Sequence, residues 1–66
     1  MGIIFRNIEA ERAKQDLTRE QFANKIGMTR QSLRKKINGG AFTSSELIIL
    51  AKVTGRSIDY LLQEYE

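Results

Sequence analysis

Residues 18–40 read TREQFANKIGMTRQSLRKKINGG, and the order of caps, apolar positions and glycines along this stretch decides the fold. Thr18 stands three residues before Gln21, the spacing of a capping box, in which the hydroxyl and the amide each accept a hydrogen bond from a backbone N–H that the helix leaves unpaired. A helix therefore starts at Arg19. Phe22, Ala23 and Ile26 form its buried stripe, and Gly27 stops it by taking the left-handed conformation that other residues resist. Only Met28 separates Gly27 from Thr29, a second N-cap, so the next helix leaves at a steep angle. That helix runs from Arg30 to about Ile37. Leu33 and Ile37 are its apolar positions, so one narrow stripe packs inward while Arg30, Gln31, Arg34 and Lys35 stay outside. Ala23 has to be small because the two helices cross closely there, and Asn38, Gly39 and Gly40 end the second of them.

Outward from this core motif the same signals continue. Toward the N-terminus a helix is predicted from about Ile4 to Gln15, where Ile4 or Phe5, Ile8 and the region of Arg12 recur at three-to-four spacing. Asp16 and Leu17 interrupt it. Toward the C-terminus Phe42 anchors a connecting loop, and Thr43, Ser44 or Ser45 caps a fourth helix with Glu46 near its positive end. Leu47, Leu50, Ala51 and Thr54 share one face of that helix. Gly55 closes it, Ser57 caps a fifth, and Ile58, Leu61, Leu62 and Tyr65 fall at i, i+3, i+4 and i+7. Proline is absent. The expected architecture is all-α, a compact five-helix arrangement forming one domain over residues 1–66, with no repeat, linker or low-complexity segment.

Composition removes several function classes. A chain of 66 residues buries only about 60% of the surface it exposes when unfolded, which leaves room for one small core. Without cysteine or histidine there is no disulfide, no thiolate metal site and no customary general base, so neither a metal, a cofactor nor an enzymatic activity is expected. No apolar run approaches the roughly 18 residues of a membrane span, and residues 1–5 are too short for a signal-peptide apolar region. The expectation is a cytoplasmic protein with no membrane and no small-molecule substrate among its partners.

Charge is the more telling property. The chain carries a formal +3, a modest value, but its distribution is uneven. Between Thr18 and Gly40 stand Arg19, Lys25, Arg30, Arg34, Lys35 and Lys36 against the single acid Glu20, whereas acids outnumber bases in the remainder. Segregation of this kind gives one positive side. It is the electrostatic footprint of a protein that binds the phosphate backbone of double-stranded DNA, and equally of a solvated helix face. A polar, basic helix whose N-terminal half stands outward has the geometry to enter a major groove, its first residues reaching base edges.

The run LTREQFANKIGMTRQSLRKKING, residues 17–39, resembles the helix-turn-helix of phage repressors and Cro proteins, the XRE family, and SSELIILAKVTGRSIDYLLQE, residues 44–64, is similar to that family's last two helices. The resemblance implies a lambda-repressor-like fold with its helix-turn-helix at helices two and three. It implies that Arg30 and Gln31 face bases, with Lys35 one turn further along the same exposed side. Arginine pairs bidentately with guanine and glutamine with adenine, which agrees with that placement. Thr29 and Ser32 are shorter and reach either a phosphate or a base edge. Arg19, and Asn38 with Gly39, occupy positions that in the family meet the phosphate backbone, and the free amides at helix N-termini assist. Arg34 and Lys36 are read as nonspecific phosphate contacts. Lys25 and Lys36 are open to a second reading as solvated side chains. Gln21 is a capping residue before it is a DNA contact, and Thr29 is first a cap.

The sequence departs from the family pattern at Glu11, Thr54 and Arg56, where an apolar residue is usual, and at Lys36, on the edge of the face that packs helix three. These departures are expected to thin the core. Arg12 matches a family position whose arginine is structural, and an internal carboxylate is its expected partner. Ile3, Ile4, Phe5, Ile48, Ile49, Tyr60 and Tyr65 offer more apolar surface than so small a core consumes, which points to a homodimer or a partner repressor protein. Two functions compete: a sequence-specific transcriptional regulator of repressor or Cro type, and an antirepressor that keeps the fold but holds a partner repressor.

Overall fold

The computed structural model describes residues 4–65, and the described residues form five α-helices and no strand: α1 (Arg6–Lys14), α2 (Arg19–Ile26), α3 (Arg30–Ile37), α4 (Ser44–Thr54) and α5 (Ile58–Leu61). None is long and apolar enough to cross a membrane. The core is built from Phe5, Ile8, Phe22, Ala23, Ile26, Leu33, Ile37, Leu50 and Leu61, so α1 to α5 each place at least one side chain in it. Ile3, read as surplus apolar surface, lies outside the described residues.

Local chemistry sets most helix boundaries as expected. Thr18 Oγ1 accepts from the Gln21 amide at 3.1 Å while Gln21 Oε1 accepts from the Thr18 amide at 2.9 Å, closing both halves of the box. Gly27 caps α2 in the left-handed conformation at φ 81°. Thr29 Oγ1 accepts from the Ser32 amide at 3.1 Å, which starts α3 at Arg30. Of the three candidates before α4 it is Thr43 that caps, and Glu46 returns a second capping box to its backbone N–H. Ser57 caps α5.

Three expectations are corrected. The first helix starts at Arg6, not Ile4, because the Phe5 amide is spent on Ile37 O at 2.9 Å and Phe5 takes a non-helical φ −93°, ψ 67°, with Ile4 packed against the core. The last helix ends at Leu61, so Tyr65 is not on its i+7 stripe. Tyr65 instead folds back on α1, its amide donating to Ile4 O at 3.0 Å and its hydroxyl to Asn7 Oδ1 at 3.0 Å. Ile58, assigned to the inward stripe, is 37% exposed.

The polar departures do not simply thin the core. Glu11 is buried, and its Oε2 accepts from Lys14 Nζ at 3.0 Å and the Tyr60 hydroxyl at 3.2 Å, with Arg56 Nε at 3.3 Å. Burial alone would raise its pKa, but the Lys14 hydrogen bond, the Arg56 and Lys14 charges and the Tyr60 hydroxyl outweigh that and hold it below the ordinary carboxylate value. Arg56 in turn lies over the Tyr60 ring, 5.3 Å from its centroid. Thr54 turns its hydroxyl back on its own helix, donating to Leu50 O at 2.8 Å, so the extra polar atom is satisfied locally. Glu11, Arg56 and Tyr60 therefore replace an apolar contact between α1 and the C-terminal turn with a closed polar one.

Candidate nucleic-acid interface

The inward stripe of α3 is Leu33 and Ile37, both almost fully buried, and their four-residue spacing leaves the other sides free. Gln31, Arg34 and Lys35 are exposed there, Arg30 is exposed at the first turn above the stripe, and Ser32 is half-buried beside them. Among the described residues, Arg30, Arg34 and Lys35 enter none of the ion pairs, whereas Arg12, Lys14, Arg19, Lys36 and Arg56 each hold a carboxylate within 3.3 Å. Arg6, Lys25 and Lys52 are outside those pairs too, and Lys14, Arg19 and Arg56 stay about half exposed, so what distinguishes α3 is three exposed cations outside the ion pairs on one short helix. An exposed guanidinium without a partner keeps all five of its donors for an incoming acceptor.

The residues read as phosphate contacts fall into two groups. Arg34, Asn38 and Gly39 are exposed along α3 and at its C-terminal end, where Gly39 takes φ 112° and a Cβ would stand 2.9 Å from Ile4 Cδ1. Arg19 is exposed at the start of α2, 3.2 Å from Glu9. Lys36 does not join them. Its ammonium donates to both oxygens of Glu46 at 2.7 and 2.6 Å and lies 6.0 Å from the centre of the Phe42 ring. The same contact, followed by the Thr43 backbone N–H, holds the Glu46 carboxyl below its ordinary pKa. Lys36 is thereby a clamp between α3 and the start of α4, while Lys25 is exposed.

Two residues considered as DNA contacts serve as caps. Thr29 uses its oxygen as an acceptor for the α3 cap, Gln21 spends its amide oxygen on Thr18, and both side chains lie at the exposed ends of the two helices. Between the N-terminal ends of α2 and α3 a shallow open depression is lined by Arg12, Thr18, Arg19, Glu20 and Arg30. It joins a residue read as a base contact to one read as a phosphate contact.

Sequence reasoning missed Glu9. Its Oε1 receives Arg12 Nε at 2.9 Å and Nη2 at 2.7 Å, and Arg19 Nη2 lies 3.2 Å away. The expectation of an internal carboxylate for Arg12 is met by this residue of the same helix. The i,i+3 spacing of Glu9 and Arg12 was a readable signal, but the Arg19 contact crosses the α1–α2 turn and left none.

A family model described as helix-turn-helix matches residues 8–61, from the first buried isoleucine of α1 to the last residue of α5. The chain belongs to that family, of the XRE type, whose members are DNA-binding transcription regulators. No curated protein and no solved structure matches it.

Proposed function

We propose that the protein is a sequence-specific transcriptional regulator of repressor or Cro type that binds double-stranded DNA as a homodimer, with α3 in the major groove. Arg30 and Gln31 read base edges, Lys35 extends the reading by one turn, and Thr29 and Ser32 make short contacts at the same end. Arg19, Arg34, Asn38 and Gly39 hold the backbone. The observation that carries this reading is the concentration of cations on one element: α3 bears two arginines and a lysine that are exposed and outside every internal ion pair of the described residues, on a helix anchored by Leu33 and Ile37. A cationic face with free donors matches phosphate and guanine alike.

A second reading, an antirepressor that binds a partner repressor, draws on Ile48 at 52%, Ile49 at 36% and Ile58 at 37% exposure. The same side chains would serve a two-fold contact between copies, so they do not favour the second reading, and the α3 face supports the first. The test is a titration of labelled random duplex and of duplexes selected from a randomised pool, at two salt concentrations. A steep salt dependence together with a selected consensus is expected. Flat binding at both salts, or enrichment of no sequence, would exclude the reading and leave the antirepressor.

A further inference from the structure

Arg19 is the backbone-contact candidate whose side chain is held by the protein itself. A free arginine at a helix start samples many rotamers, and ordering it on binding costs entropy that lowers affinity. In this structure Arg19 has a fixed carboxylate partner that supplies part of that ordering. Glu9, whose side chain is 14% exposed, presents one oxygen, Oε1, to three nitrogens: Arg12 Nε at 2.9 Å, Arg12 Nη2 at 2.7 Å and Arg19 Nη2 at 3.2 Å.

The two arginines play different parts. Arg12 is 19% exposed and also donates from Nη1 to Leu17 O at 2.6 Å, so its guanidinium is committed to the protein on two sides. Arg19 is 55% exposed and meets Glu9 only through Nη2, as an ion pair at 3.2 Å, which leaves its other donors available at the edge of the depression it shares with Arg30. Charge follows the same division. One carboxylate facing two guanidiniums leaves a net positive charge, and because Arg12 neutralises Glu9 at the shorter distance, the surplus resides on the exposed Arg19.

We propose that Glu9 is a positioning residue for DNA: by sharing one carboxylate oxygen between Arg12 and Arg19, it holds the Arg19 guanidinium at the rim of the α2–α3 depression, preset for a backbone phosphate. The inference rests on the DNA-binding reading above and assigns a role to a residue that touches no DNA. It also makes a counterintuitive claim about sign. Removing an acid next to a phosphate contact normally strengthens binding by relieving repulsion; here it weakens binding.

The experiment is a double-mutant cycle of Glu9→Gln and Arg19→Ala, read as affinity for a short random-sequence duplex, with thermal melts of each free protein alongside. Glu9→Asp is added because it keeps the charge and withdraws the carboxylate by one methylene, with less risk to folding. Either Glu9 change should weaken binding by about threefold to tenfold, the cost of ordering one long side chain, and neither should have any effect once Arg19 is alanine. Equal losses in both Arg19 backgrounds would mean a structural role only, and tighter binding by Glu9→Gln would mean a charge effect only; either result overturns the proposal. Absence of DNA binding by the unaltered protein would instead overturn the DNA reading itself, and this inference with it.

Discussion

Arg30, Gln31 and Arg19 are all exposed, yet they differ in what a substitution there should change. Arg30 and Gln31 have no internal ion-pair role, so Arg30→Ala or Gln31→Ala should leave the melting temperature within error and relax preference at one base position, costing about 1–3 kcal/mol on the selected sequence alone. Arg19→Ala should weaken selected and random duplexes alike and reduce the salt slope by about one. Competition titrations separate the two patterns. Arg30 and Gln31 stand out in the sequence as candidate readers because nothing in a core or a cap explains them. Lys36 was misleading for the opposite reason: its partner Glu46 belongs to the next helix and only packing brings the two together. Glu11 shows a buried acid that periodicity treats as a defect, and its partners Tyr60 and Arg56 lie far along the chain. Its contribution depends on pH in a definite direction. Because the folded-state pKa lies below the ordinary 4.5, the unfolded chain binds its proton first as pH falls, so stability is complete above that value and is lost as pH drops through the folded value. Urea unfolding followed from neutral pH to strongly acid pH should show a flat region and then a decline, and Glu11→Gln should shrink the part of the decline that Glu11 supplies, while lowering stability at neutral pH.

Helix boundaries divide into those that a few neighbouring side chains decide and those that depend on distant backbone. The α2–α3 turn belongs to the first kind. Thr18, Gln21, Gly27 and Thr29 act within three residues of one another's targets, and so the break at Met28 could be read from the letters. Both outer ends belong to the second kind: α1 begins at Arg6 because Ile37 O takes the Phe5 amide, and the tail beyond α5 is turned by Ile4 O. No spacing in the sequence encodes those bonds. The turn glycine offers a clean test of the local account. A Cβ at Gly27 would meet nothing within 4 Å, so the whole cost of a substitution comes from φ 81° and none from crowding. Gly27→Ala should destabilise by about 1–2 kcal/mol, and Gly27→Asn by less, since asparagine tolerates the left-handed region. Gly39→Ala should be worse than Gly27→Ala, because φ 112° lies farther from the left-handed basin that a side chain can reach, while the 2.9 Å approach of Ile4 Cδ1, the movable end of a side chain, adds little. Chemical denaturation of the three variants ranks them.

At the scale of the whole molecule the deciding quantity is length. The Cα trace extends 26 × 23 × 22 Å, less than the roughly 34 Å between equivalent points one DNA turn apart, so a single copy reaches one half-site. Two copies in contact side by side span a full turn, and a two-fold contact presents the same patch on both. Phe5 has gone into the core, Ile4 packs on it and the tyrosine hydroxyls are bonded to α1; Ile48, Ile49 and Ile58 are the large apolar side chains left on the surface among the described residues. The patch on α4 therefore carries the prediction. Ile48→Asp places a charge where an apolar contact between copies is proposed, on a side chain already half in water, so the free monomer should melt unchanged. Sedimentation should shift from dimer to monomer. Binding to a duplex with two half-sites one turn apart should fall sharply, while binding to an isolated half-site stays the same, because each α3 is untouched and only the second, linked contact is lost. Equal affinity for one and two half-sites in the unaltered protein would exclude pairing on DNA, and no change in either on Ile48→Asp would locate the pairing surface elsewhere.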